Sequence, residues 1–159
     1  AAAIARDGLQ VKETGDRCVS WLPFYHDMGL VGFFLTPLTC QLTVDLMPTR
    51  EFARRPHIWL DLISRNRGTL AYAPPFGYDL CTRRPASPEL DLSCWRVAGI
   101  GGDMIRPNIL THFAQHFQPV GFNKLLHAAK PGNKFFIGFI YNFILLFIIF
   151  SYGGNTFLF

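Results

Sequence analysis

The sequence has no C-x-x-C pair. Its four cysteines, Cys18, Cys40, Cys81 and Cys94, stand 22, 41 and 13 residues apart. That spacing supplies neither a zinc knuckle nor a redox dithiol and reads as buried free thiols in a reducing compartment. There is no G-x-S-x-G, so a serine hydrolase lacks its nucleophile elbow. Charged residues make up 16% of the chain against 50% hydrophobic, which excludes global disorder. The opening AAAIARDGLQ has no charged region followed by an apolar run, so it is not a secretory leader. It also lacks an initiating Met, and an internal fragment is expected. The 159 residues suffice for one domain with a core, hardly for two.

The formal charge of +4 invites a nucleic-acid reading, but its distribution does not support one. Residues 1–122 hold 12 Lys and Arg against all 11 acids, and the remainder of the excess is Lys124, Lys130 and Lys134. No basic face is implied, and nucleic acid is not an expected partner.

Composition changes near Phe122. Phe, Ile, Asn, Lys and Tyr together number 20 in residues 1–122 and 22 in the 37 residues that follow, while arginine falls from 11 to none. Those five residues come from AT-rich codons and arginine mostly from GC-rich ones. A frameshift or chimeric join is therefore expected, with residues 1–122 as the folded part and 123–159 as a hydrophobic tail foreign to it.

Before the boundary, strands and helices alternate. Cys18–Leu22, Leu42–Met47, Thr69–Ala73 and Trp95–Ile100 read as strands. Met28–Cys40, Pro56–Arg67, Phe76–Arg84 and Pro107–Phe117 read as helices, the first weakened by Gly29, Gly32 and Pro37. Pro56 suits a first helical position and Gly68 a left-handed stop. This alternation predicts an α/β domain with a mostly parallel sheet and flanking helices.

Two stretches carry candidate chemistry. In SWLPFYHDMGLVG from Ser20 a strand ends, Pro23 breaks it, and a helix begins near Asp27. Open α/β sheets bind ligands outside the carboxyl ends of their strands, so Tyr25, His26 and Asp27 are placed for ligand contact. Asp27 is alternatively a plain helix cap. The second stretch, Gly99-Ile100-Gly101-Gly102-Asp103, also follows a strand, and its glycines let a ligand approach the backbone closely. It is not a complete G-x-G-x-x-G, and a plain turn is the competing reading. His112 and His116 stand four apart, but HFAQH lacks the glutamate of H-E-x-x-H and no third ligand is in view, so no metal site is expected.

Four ordered blocks, SWLPFYHDMGL, RPHIWLDLISRNR, FGYDLC and LSCWRVAGIGGDMIRP, resemble the fatty-acyl-AMP ligases of the adenylate-forming superfamily. That superfamily also holds acyl-CoA synthetases and peptide-synthetase adenylation domains. The likeness covers about Ala5 to Phe122, and the YHDMGL phrase is in the style of the acyl-AMP ligases. It implies that this is part of the large N-terminal domain of an adenylate-forming enzyme. By the same resemblance His26 lies beside the acyl carboxylate. Gly101, Gly102, Asp103 and Met104 match the loop around the adenine, usually Gly-Ala-Glu-Pro, with a small residue and an acid kept and the proline lost. Tyr25, Phe76, Gly77 and Tyr78 are implied to line the acyl pocket.

The implied reaction uses ATP and Mg2+ to turn a fatty acid into its acyl-adenylate. The acyl group then goes to the thiol of an acyl carrier protein or of a polyketide- or peptide-synthetase carrier domain. The Ser/Thr/Gly-rich phosphate loop, the magnesium-binding Glu, the ribose-binding Asp and the catalytic Lys of the resembled family are missing from this sequence. The fragment by itself is expected to be inactive. Two alternatives stand beside this reading. One is a fatty-acyl-CoA ligase. The other is a non-catalytic protein anchored in a membrane through residues 135–152, where the run Phe135–Phe150 has only Asn142 polar and the length just reaches that of a spanning helix. Otherwise a cytoplasmic location is expected, with a membrane as partner only through the tail.

Overall fold

Three of the four strands stop where the sequence removes a ladder donor and stiffens the chain. The computed structural model describes residues 11–12, 14–103 and 107–122. Contacts group Ala1–Ala128 as one unit and Ala129–Phe159 as another, and every described residue lies in the first. Strand β1 (Arg17–Ser20) ends shortly before Pro23, β2 (Thr43–Leu46) before Pro48, β3 (Leu70–Ala73) at Pro74, and β4 (Val97–Ile100) at Gly101. Proline has no N–H to give a ladder, and three of the four strands end at or just before one.

The four strands pair in parallel in the order β2-β1-β3-β4. Parallel strands need long crossovers, and helices supply them. Between β1 and β2 run α1 (Asp27–Leu30), a π-helical turn (Val31–Leu35) and α2 (Thr36–Cys40). Between β2 and β3 lie α3 (Thr49–Arg54) and α4 (His57–Asn66); α5 (Pro75–Thr82) leads to β4, and α6 (Pro107–Phe117) follows it. This is the expected α/β architecture with flanking helices. Three details differ from expectation. The expected single helix over 28–40 is interrupted by the π turn. The six-residue α3 lies outside the expected elements. The left-handed residue that closes α4 is Arg67 (φ 57), not Gly68. Gly68 is needed for room instead, since a Cβ there would come 2.5 Å from Val19 Cγ2.

Strand order fixes where a ligand belongs. From β1 the chain crosses to β2 on one side, then returns past β1 to β3 on the other, so strand order reverses between β1 and β3. The register joins those two strands only at Cys18↔Leu70, and beyond it they run to their carboxyl ends without further bridging. A crevice at such a reversal is where open α/β sheets take ligands.

The core is aromatic and sits largely on one face. Trp59, Trp95, Tyr78 and Phe113 are fully buried, with Trp59 and Trp95 rings 5.2 Å apart at 74° and Tyr78 edge-on to Phe113 at 5.0 Å. The Tyr78 hydroxyl donates to the Gly99 carbonyl at 2.6 Å, and the Trp95 indole N–H to the Val97 carbonyl at 2.9 Å. Both polar tips are thereby satisfied, while the Trp59 indole N–H has no partner among the described residues. At the amino edge of the sheet the buried Asp16 carboxylate accepts from the Lys12 N–H (2.7 Å), the Thr69 hydroxyl (2.7 Å) and Arg96 Nη2 (2.5 Å). Burial pushes its pKa up, but those donors outweigh burial and hold it below the ordinary value. One end of the sheet is thus clamped, and the other is left to loops.

Candidate functional site

The segment leaving β1 turns back on itself before α1. The His26 N–H donates to the Pro23 carbonyl at 3.2 Å, and His26 takes the cap position with extended dihedrals (φ −113, ψ 139). Asp27, weighed as a cap from sequence, is instead the first helical residue. His26 Nδ1 lies 2.7 Å from Asp27 Oδ1, and the Met28 N–H reaches both Asp27 Oδ1 (2.7 Å) and His26 Nδ1 (3.2 Å). One ring nitrogen cannot both donate to the carboxylate and accept from Met28. The cap hydrogen bond has Nδ1 accepting from the Met28 N–H, and the Asp27 carboxylate lies beside it. In a neutral ring Nε2 then carries the proton, and on a half-exposed side chain it is the nitrogen that can donate to a ligand.

The glycine loop leaves β4 at the same, carboxyl edge of the parallel sheet. Gly101 still belongs to the ladder, its N–H donating to the Ala73 carbonyl at 3.4 Å. Gly102 turns away with φ 76, a left-handed conformation suited to glycine, and both it and Asp103 are exposed. Met104 lies outside the described residues. The two stretches meet through Met28. A Cβ placed on Gly102 would come 3.0 Å from Met28 Cε.

The residues implied to line an acyl pocket separate. Phe76 is 51% exposed at the start of α5, its ring 5.8 Å from Trp21 at the mouth of the β1/β3 crevice. Gly77 lies against Trp21, where a Cβ would come 2.8 Å from Cζ2. Tyr78 is fully buried, because the helical phase that turns Phe76 outward turns Tyr78 onto Trp95 and Phe113. Tyr25 is 92% exposed, and a side chain so open lines no pocket formed by the described residues.

Sequence reasoning missed Met28 and Trp21. Both stood inside the singled-out stretch, but an apolar residue there is indistinguishable from ordinary core until the loop it touches is placed. Trp21 stacks on Phe52 at 3.8 Å and 1°, and its buried indole N–H has no partner. The segment between β1 and β2 presents an apolar surface, with Phe24, Leu30, Phe34 and Leu38 exposed and the Phe24 and Phe34 rings 5.5 Å apart.

Other chemistries find no footing among the described residues. Burial pushes the Cys18 and Cys81 thiols up to about 12, so neither offers a thiolate near neutral pH. No cluster of three or more His, Cys, Asp or Glu is present to hold a metal among the described residues. Mg2+ takes several oxygen ligands, and Asp103 alone does not make its site. A cavity of about 880 Å3 lies between α4 and residues 84–90, lined by His57, Asp61, Arg65, Arg84 and Glu89 among others. It contains none of the residues of either stretch. Burial lowers the His57 pKa. No helix among the described residues is long and apolar enough to cross a membrane.

Comparison with known proteins identifies the family. The family model described as AMP-binding enzyme matches residues 1–128. A protein of Caulobacter vibrioides, provisionally named an acyl-CoA synthetase, is 56% identical over 82% of this chain and 23% of its own length. A medium-chain-fatty-acid–[acyl-carrier-protein] ligase of Teredinibacter turnerae is 42% identical over 65% of this chain and 17% of its own. A solved structure from work on fatty acyl-adenylate ligases of E. coli and L. pneumophila superposes with a TM-score of 0.75 at 57% identity, covering 79% of this chain and 23% of that one. The chain thus spans about a quarter or less of the relatives it matches.

Proposed function

This chain belongs to the AMP-binding enzymes, and from that premise we propose that its full-length protein activates a fatty acid as the acyl-adenylate and delivers it to a carrier-protein thiol. The observation that carries the reading is the meeting of His26 and the Gly101–Asp103 loop, through Met28, at the carboxyl edge where strand order reverses. A carboxylate has no good leaving group. In the reaction one carboxylate oxygen forms a bond to the α-phosphorus of ATP, and the bond from that phosphorus to the β-phosphate bridging oxygen breaks, releasing pyrophosphate. A carrier thiolate then displaces AMP at the acyl carbon. Such chemistry depends on positioning the two reactants and on offsetting charge.

In this assignment the His26 Nε2–H donates to the acyl carboxylate, its ring held by the bond that Nδ1 accepts from the Met28 N–H. The turn at Gly102 presents backbone to the adenine, and Phe76 and Gly77 form the acyl side of the crevice with Trp21. The carrier thiol is favoured as acceptor by the YHDMGL phrase and by the Teredinibacter relative, whose name specifies a carrier protein. The Caulobacter relative's name supports CoA as the second reading. A cytoplasmic site fits the free thiols and the use of ATP. The expected result is pyrophosphate release by the full-length protein that depends on a medium- or long-chain fatty acid, with loading of a carrier protein and no acyl-CoA when CoA is supplied. Efficient acyl-CoA formation would select the second reading, and no fatty-acid-dependent pyrophosphate would end both.

The tail from Asn123 lies outside the described residues. We assign residues 1–122 to the partial AMP-binding domain and 123–159 to a segment foreign to it. The eight residues Phe143–Phe150 have no polar alternation. At about 25 cal/mol per Å2 of apolar surface, leaving them in water favours self-association. Deleting residues 123–159 is expected to raise the soluble yield of the chain. A lower yield on deletion counts against the boundary at Phe122, and a reading frame that restores the missing ligase motifs when shifted near codon 122 supports it.

A further inference from the structure

We propose that Met28 is a positioning residue of this site, its thioether setting the gap between His26 and the glycine loop and so the approach of the fatty-acid carboxylate to the nucleotide. The inference rests on the adenylation reading above and adds to it a residue with no polar group to offer.

Met28 is tied at both ends. Its N–H is held by the Asp27 carboxylate at 2.7 Å, within the cap that orients the His26 ring. Its methyl carbon occupies the space into which a Gly102 side chain would point. Gly102 has φ 76 and no Cβ, so the methyl is the group that closes this side of the turn. The next residue, Gly29, presses against the Pro23 carbonyl, where a Cβ would come 2.2 Å from the oxygen. The start of α1 therefore cannot move closer to the Pro23 turn. An unbranched, polarisable thioether suits a gap of irregular shape, and its length determines the separation. Simple packing against the core, which Met28 also does, predicts a loss of stability and nothing more. A spacer predicts that both substrates are misplaced together.

The experiment is fatty-acid-dependent pyrophosphate release by the full-length protein carrying Met28→Ala, Met28→Leu, Gly102→Ala and the double substitution Met28→Ala with Gly102→Ala. A displacement near 1 Å costs on the order of 10²-fold in rate. Met28→Ala is expected to lower kcat/KM by about 10- to 100-fold, raising KM for ATP and fatty acid together. Met28→Leu, close in volume, is expected to keep activity within about 3-fold. Gly102→Ala meets the methyl, so the double variant is expected to lose less than the product of the two single losses. Two results overturn the proposal. One is a Met28→Ala enzyme with a lowered melting temperature but unchanged KM values. The other is strict multiplicativity in the cycle. A wild-type protein that releases no pyrophosphate with any fatty acid instead removes the adenylation reading, and Met28's role with it.

Discussion

Replacing His26 by alanine is expected to lower kcat/KM for fatty-acid-dependent pyrophosphate release by about 10²-fold, the scale of losing one well-placed polar group at a reacting centre. The imidazole stands at the cap position before α1, beside the Asp27 carboxylate. It is half exposed, so its removal should cost little beyond the cap, roughly 0.5–1 kcal/mol. Asparagine separates the two contributions. His26→Asn keeps a good capping side chain and should fold as the wild type does, yet it cannot reach where Nε2 stands and should be nearly as inactive as alanine. Activity within about 3-fold of wild type for either variant would remove His26 from the site, since removing a group that meets the reacting carboxylate costs far more.

Much of the frame was legible because its signals are local. Pro23, Pro48 and Pro74 punctuate the strands, and the apolar faces of 57–66 and 107–117 repeat at helical spacing. The carboxyl-edge placement of His26 and of the glycine loop followed from strand-then-turn order alone. What escaped depended on distant partners. Helix α3 has one buried residue, Phe52, too few for a period to register. It is held from outside by the Trp21 stack and by the Thr49 hydroxyl donating to the Trp21 carbonyl at 2.8 Å. The stop of α4 falls on Arg67, and Gly68 gives room for Val19. Tyr78 was assigned to the acyl pocket with its neighbours Phe76 and Gly77. One helical step separates a residue at the crevice mouth from one in the core, and only the phase of α5 decides which is which. Met104 and the tail lie outside the described residues.

Gly29→Ala is expected to be the most damaging small change in the chain. Where the segment after β1 doubles back, a Cβ on residue 29 would lie 2.2 Å from the Pro23 oxygen and 2.8 Å from its carbonyl carbon. Both are backbone atoms, so no side chain can swing aside. Pro23 has a restricted φ, and its carbonyl accepts the His26 N–H at 3.2 Å, which leaves the turn little room to yield. Alanine is the better helix former by roughly 1 kcal/mol, and in an open helix the substitution would stabilise. Here the clash decides the sign. Overpacking of a well-filled site costs about 1–3 kcal/mol and more where backbone must move, so a net loss of about 2 kcal/mol or more is expected in denaturant unfolding. Relief comes only by lifting the start of α1 from the turn, which carries His26 and Met28 away from Gly102. Activity should therefore fall even in the fraction that remains folded, by about the 10²-fold that misplacement costs. Unfolding midpoints equal to wild type would show that the turn yields, and the close approach of α1 to Pro23 would then no longer explain why a glycine stands at position 29.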